Sequence, residues 1–191
     1  MYKNALLNKP IIIIDFEATC VDNNEEEIWS EIIEFAAVKV NEKGELIDEF
    51  TEFIKPIVHP RLSKYCTDLT TITQEQVDKA DEFPEVYKRF LEWKGDTDLW
   101  GSWGRYDYRQ LKDDCGIHDI PFTMNNHINL KQVYSDLFKF KRCGLARAIK
   151  QQNLKFEGTH HRGIDDCRNI YKIYVNIINK IKKMEVKNER N

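Results

Sequence analysis

The chain lacks a cysteine framework: its five cysteines, Cys20, Cys66, Cys115, Cys143 and Cys167, are widely spaced, with no Cys-x-x-Cys and no nearby histidine ligand pair of the zinc-site kind. That spacing argues against disulfide scaffolds and structural zinc, and an odd number of thiols fits a reducing cytoplasm, the expected location. No segment approaches the roughly twenty apolar residues needed to span a bilayer, and Met1 to Lys9 carries no signal-peptide core, so no membrane partner is expected. An excess of one charge is also missing. With 29 basic and 32 acidic residues the net charge is −3, which argues against a protein that coats long polyanions. Repeats, low-complexity stretches and composition shifts are absent as well. The 191 residues, 41% of them hydrophobic, are read as one domain over 10–183 with an N-terminal extension (1–9) and a polar tail (184–191).

What the chain does have is four carboxylates and an imidazole, each in a distinct local pattern. Pro10 precedes Ile11-Ile12-Ile13-Ile14, a β-branched run that reads as a strand buried on both faces. Alternate strand residues share a face, so Asp15 and Glu17 point together while Phe16 points away. Two adjacent carboxylates repel each other, and a divalent cation between them relieves the repulsion; hard oxygen ligands suit Mg²⁺ or Mn²⁺. The alternative is that Asp15 merely ends the strand. Further on, Asp98 to Gly104 reads as a short strand and a glycine-bounded turn, and Tyr106 to Cys115 as a helix with Asp107 in its first turn. A carboxylate there also suits an ordinary helix start. Finally, His161 precedes Asp166 by five residues, and Ile170, Ile173, Tyr174, Ile177, Ile178 and Ile181 recur at helical spacing. Asp166 therefore sits on the first turn of a helix beginning near Asp165, with His161 on the loop before it. Taken alone, this pair also reads as solvated surface.

Between these motifs, residues 32–40 and 45–54 read as a β-hairpin turning at Asn41 to Gly44, and 73–78 and 84–93 as helices. A strand at 97–101, another near 127–130, and helices at 131–138, 144–152 and 165–183 follow. A hairpin first and strand–helix alternation later predict an α/β fold, a mixed sheet flanked by helices. The acidic run Asp22 to Glu27 reads as a solvated loop. Arg105, Arg109, Lys139, Lys141, Arg142, Arg147 and Lys150 flank the motifs and are candidate phosphate contacts or plain solvated positions.

Together the motifs resemble the DEDDh branch of the DnaQ-like 3′-to-5′ exonucleases: Asp15-Phe16-Glu17, then Asp107 with Leu111, then His161 with Asp166, over about residues 8–182. The segments DFEATC, EIIEFAAV, LTTITQEQVDKA, GSW and HRGIDDCRNI are similar to the histone-mRNA 3′ exonuclease group and its bacterial relatives. One departure stands out. Gly104-Arg105-Tyr106 separates Trp103 from Asp107, where the eukaryotic members place the Asp directly after that Trp, so the loop is expected to be shaped differently.

The resemblance implies a ribonuclease H-like fold with a five-stranded sheet and a 3′-to-5′ exonuclease acting on single-stranded RNA or DNA 3′ ends, RNA preferred. It implies two Mg²⁺ ions, Mn²⁺ substituting, held by Asp15, Glu17, Asp107 and Asp166. His161 would be the general base, Glu17 would also hold the terminal 3′ hydroxyl, and Phe16, Ala18, Thr19, Trp103 and Arg105 are the candidate substrate contacts. An RNase H-type endonuclease does not need His161 at this spacing, and a non-catalytic binding domain would lack at least one of the five residues. No obligate protein partner is expected.

Overall fold

The computed structural model describes residues 2–22 and 29–188. The acidic-loop reading at Asp22 to Glu27 falls almost wholly outside them. Among the described residues is a five-stranded sheet in the order β3-β2-β1-β4-β5. Strand β1 (Ile11–Ala18) lies at its centre, antiparallel to β2 (Ile32–Val40), which pairs antiparallel with β3 (Leu46–Phe53). On its other side β1 runs parallel to β4 (Trp100–Ser102), and β4 parallel to β5 (His127–Asn129). The sheet is mixed, as the hairpin followed by strand–helix alternation predicts.

The isoleucine run explains why β1 is central. Ile11 and Ile13 face a cluster built with Val133 and Tyr134 of α6 (Leu130–Phe138), Ala148 and Ile149 of α7 (Leu145–Gln151), and Ile170 to Ile181 of α8 (Gly163–Asn188). Ile12, Ile14 and Phe16 face a second cluster, with Val86 and Phe90 of α4 (Phe83–Lys94) and Leu111 of α5 (Tyr106–Ile117). All four isoleucines are fully buried, which an alternating amphipathic strand could not be.

Two helices lie where the sequence reading placed none. Helix α1 (Tyr2–Asn8) docks on α8, burying Leu6, whose carbonyl accepts a hydrogen bond from the Tyr174 hydroxyl at 3.0 Å. Helix α2 (Lys64–Thr70) is capped by Ser63, whose side chain accepts from the Cys66 amide, and buries Cys66 and Thr70. The short helix α3 (Gln74–Asp78) carries a capping box between Thr73 and Gln76. Helix α8 begins two residues before the expected Asp165 and continues beyond 183 to Asn188. Among the described residues, no helix is long and apolar enough to cross a membrane.

Candidate active site

The sheet delivers its acids to one end. Asp15 and Glu17 lie at the carboxyl end of β1, on the α8 side of the sheet, because Ile11 and Ile13 occupy that face two and four residues earlier. This is the end of a parallel strand pair at which open α/β sheets form crevices. In register with Glu17 on β2 is Glu34, almost fully buried. Asp107 comes from the opposite layer. From the first turn of α5 it reaches across the strand end, and its Oδ1 accepts a hydrogen bond from the Phe16 amide at 3.2 Å.

Asp166 arrives on the first turn of α8, and a glycine permits its approach. A Cβ built on Gly163 would sit 2.8 Å from Ala36 Cβ and 3.1 Å from the Asp15 carbonyl oxygen, so only glycine lets this helix start lie directly on β1 and β2. Glu34 fixes the same turn: it accepts from the Gly163 amide at 2.9 Å and from Arg162 at 3.2 Å. Asp166 Oδ2 accepts from the His161 amide at 3.0 Å. Its other oxygen is buried with no hydrogen-bond partner, a costly condition for a carboxylate.

His161 occupies the left-handed region, φ 63°, which non-glycine residues rarely adopt and which tends to mark functional loops. Its ring packs edge-on against His160, centroids 4.1 Å apart, and His160 in turn lies against Phe156. Burial and the neighbouring His160 push the His161 pKa below the ordinary imidazole value.

Carboxylate oxygens of Asp15, Glu17 and Asp166 lie within 4.8 Å of one another, and His160, His161 and Asp166 form a second group of the same compactness. Burial, followed by repulsion from Asp107, Asp166 and Glu17, raises the Asp15 pKa well above the usual carboxylate range. Burial and Asp166 push Glu17 up to about 8. Asp166 itself rises to about 6, chiefly by burial, with His160 opposing. Burial also raises Asp107, against hydrogen bonds from Ser102 and the Phe16 amide. A cluster of acids that resists ionisation together, with one oxygen left unpartnered, is the electrostatic complement of a divalent cation.

These groups line a cleft of about 320 Å³, together with Phe16, Ala18, Cys20, Leu69, Trp103, Tyr106, Leu145 and His160. A larger concavity, about 770 Å³, lies between α1 and the starts of β4 and β5; it contains none of the sequence-selected residues, so chemistry and not size identifies the site. Of the candidate substrate contacts, Ala18 and Trp103 line the cleft. Trp103 is anchored by its indole N–H donating to the Cys143 carbonyl at 3.0 Å and by the ring of Tyr134. Phe16 borders the cleft, but its ring is core, edge-on to Phe35 at 4.5 Å. Thr19 is buried beside the cleft with its hydroxyl oxygen accepting from the Glu31 amide, and Arg105 is exposed just before α5; neither is among the lining residues. The remaining candidate cations, Arg109, Lys139, Lys141, Arg142, Arg147 and Lys150, are all exposed.

Sequence reasoning gave Glu34 and Arg162 no role. Their signal was present in EIIEFAAV and HHRG: an acid inside a buried strand, at the same-face spacing, requires a partner. His160, beside His161, joins the same metal-competent group.

A mixed sheet between helices, with acids gathered at the end of its central strand, is a ribonuclease H-like arrangement. The chain belongs to the RNase_T exonuclease family, whose pattern matches residues 12–174. It is 34% identical over 181 residues to 3'-5' exoribonuclease 1 of Rattus norvegicus, covering 88% of this chain and 52% of that protein. It is 31% identical over 171 residues to the probable 3'-5' exonuclease KapD of Bacillus subtilis (strain 168), covering 86% and 82%. The nuclease domain of 3'hExo, a DEDDh family member bound to rAMP, superposes with a TM-score of 0.84 at 32% identity, over 90% of this chain and 92% of that one. The chain spans about half the length of the curated exoribonuclease 1 relatives it matches. Exonucleases of this type depend on divalent metal.

Proposed function

We propose that the protein is a 3′-to-5′ exonuclease that hydrolyses phosphodiester bonds at single-stranded 3′ ends, prefers RNA, and releases nucleoside 5′-monophosphates. The observation that carries this reading is the convergence of Asp15, Glu17 and Asp166 within 4.8 Å, one Asp166 oxygen being buried without a hydrogen-bond partner. Hard carboxylate donors fit Mg²⁺, with Mn²⁺ able to substitute, and Asp15, Glu17, Asp107 and Asp166 are the residues that would hold two such ions. Divalent ions held there would supply Lewis acidity, lowering the pKa of a water and stabilising negative charge on the departing oxygen.

His161 takes the proton from the attacking water. Its depressed pKa favours this role, because a base must be neutral to accept a proton at neutral pH. The Glu34–Arg162 pair positions the turn that carries His161 and Asp166. Glu17, at the strand end, holds the terminal 3′ hydroxyl, and Trp103 and Ala18 form the wall against the terminal nucleotide. The Phe16 and Thr19 contribution is through backbone, and Arg105 meets phosphate from the rim. The RNA preference is supported by the names of the relatives, exoribonucleases among them, and by the ability of a site to read a 2′ hydroxyl as both donor and acceptor. The five free thiols suit work in the cytoplasm.

Digestion of matched 5′-labelled single-stranded RNA and DNA, with Mg²⁺ and then with chelator, tests the reading. A ladder shortening one nucleotide at a time, faster for RNA and abolished by chelation, is expected. Internal fragments, or cleavage that survives chelation, would overturn it, and faster digestion of DNA would reassign the substrate. An oligoribonucleotide with one 3′-terminal deoxynucleotide isolates the sugar: a rate equal to that of the all-RNA strand would rule out terminal 2′-hydroxyl recognition.

A further inference from the structure

The candidate cleft holds two metal-competent groups that share Asp166. The inner one, Asp15, Glu17 and Asp166, offers oxygen alone and lies buried or half-buried. The outer one offers two ring nitrogens, from His160 and His161, with an Asp166 oxygen, all within 4.8 Å of one another. His160 is exposed and His161 half-buried, so this group opens to solvent at the mouth of the cleft. Consecutive residues of an extended chain point their side chains apart. The left-handed backbone at His161, φ 63°, removes that divergence, and the two rings meet edge-on with centroids 4.1 Å apart. Three ties to α8 hold the loop in this form. Asn169 accepts from the Glu157 amide at 3.1 Å and donates to its carbonyl at 2.8 Å, the Thr159 amide donates to Asp165 at 2.9 Å, and the His161 amide donates to Asp166 at 3.0 Å. Gly158, φ 83°, leaves room for the second tie, since a Cβ there would overlap the Asp165 carboxylate. The His160 ring also rests on Phe156, centroids 5.3 Å apart. The donors are therefore gathered before any ion arrives, which lowers the ordering cost of binding one.

We propose that His160, His161 and Asp166 form a zinc site at the mouth of the cleft, and that Zn²⁺ bound there stops turnover by occupying the general base. Two imidazoles and a carboxylate are a donor set that zinc takes with a fourth position left to water. Mg²⁺ favours oxygen and stays with the inner carboxylates, so the composition of the two groups sorts the two ions. Asp166 brings to the site an oxygen buried without a hydrogen-bond partner, a need that a cation meets. A neutral imidazole has one lone pair available, on the ring nitrogen that carries no proton. Engaged by zinc, that pair cannot accept a proton from water, and His161 ceases to be a base. His160 completes the site. Without it only two of the three donors remain, fewer than zinc uses in protein sites.

Zinc binding is independent of what the protein does, whereas its effect on turnover rests on the exonuclease reading. The full chain in excess Mg²⁺ is titrated with Zn²⁺ in competition with a chromophoric chelator, and RNA digestion is followed at each zinc level. His160→Ala removes one donor, and His160→Phe removes it while keeping a ring against Phe156 and His161; His160 is exposed, so neither substitution touches the core. Each variant is compared with its own zinc-free rate. Expected for the wild type is a loss of rate in step with zinc occupancy, restored when the chelator withdraws the zinc. In both His160 variants the zinc affinity and the inhibition should weaken about tenfold or more. His161→Ala, read by binding alone, should weaken the affinity as well. Wild-type zinc affinity in the His160 variants or in His161→Ala would put the ion on the carboxylates and overturn the proposal, as would a filled site that leaves the rate unchanged. Absence of RNA digestion by the zinc-free protein would count against the exonuclease reading and leave the zinc titration as the test of the site.

Discussion

At the scale of single residues, His161 and His160 present the sharpest discrimination. Their rings touch, and both belong to the same metal-competent group with Asp166, yet it is the His161 amide that is tied to Asp166, and burial lowers the His161 pKa. His161→Ala is expected to slow turnover by roughly 10²-fold, the size of a lost general base, with metal affinity nearly unchanged. The wild-type rate should fall as pH drops through the imidazole range, with its midpoint below about 6.5 because burial disfavours the cation. A large loss from His160→Ala with little from His161→Ala, read by single-turnover kinetics, would move the base to the neighbouring ring. The candidate acids were visible in the sequence because each sits in its own signature: a carboxylate pair after a β-branched run, and an Asp in each of two helix first turns. Glu34 was less visible. Its role depends on lying opposite Glu17 in register, and register is a tertiary fact.

At the scale of elements, the start of α8 is the critical junction. It carries Asp166, follows His161, and rests on the sheet through Gly163 with no room for a side chain. Gly163→Val should cost about 1–3 kcal/mol by overpacking against Ala36 and the Asp15 carbonyl. Because the same shift moves Asp166 off the strand end, activity should fall well beyond the unfolded fraction. Urea denaturation alongside rate measurement checks this; a variant of wild-type stability and rate would show that the contact is slack. Strands β1 to β3 and helix α8 were legible because their periodicities are long and apolar. Helices α1 and α2 were not: each has only seven residues, too few to form alone, and each exists by docking, α1 through Leu6 and α2 through Cys66 and Thr70. The short β4, expected over 97–101, is paired only across Trp100 to Ser102, where its neighbours β1 and β5 supply the ladder.

At the scale of the whole molecule, the buried acids make metal-free stability depend on pH in an unusual direction. Glu17 rises to about 8, Asp166 to about 6, and Asp114, buried beneath the Ile32 amide, to about 7. Each folded-state pKa lies above its unfolded value, so between the two the native state holds more protons than the unfolded chain. Stability is then fully present below the unfolded carboxyl range and is lost as pH rises through the folded values. The metal-free protein should therefore show a Tm that declines from about pH 5 to about pH 8. Added Mg²⁺ or Mn²⁺ should raise it most at the upper end, where the carboxylates are ionised. Thermal scans in chelator and in metal decide the matter, and a metal-free Tm that climbs across this window would contradict the burial of these groups.

The central claim, that the gathered carboxylates form one divalent-metal site, is tested most directly by calorimetric titration of Mn²⁺ into the wild type, Asp15→Asn and Asp166→Asn at pH 8. These substitutions remove ligand charge while nearly preserving shape, and the Asp166 variant keeps an oxygen for the His161 amide. Saturable binding to the wild type, reduced at least tenfold in either variant whose circular dichroism is unchanged, is the expected result. Wild-type affinity in both variants would contradict it.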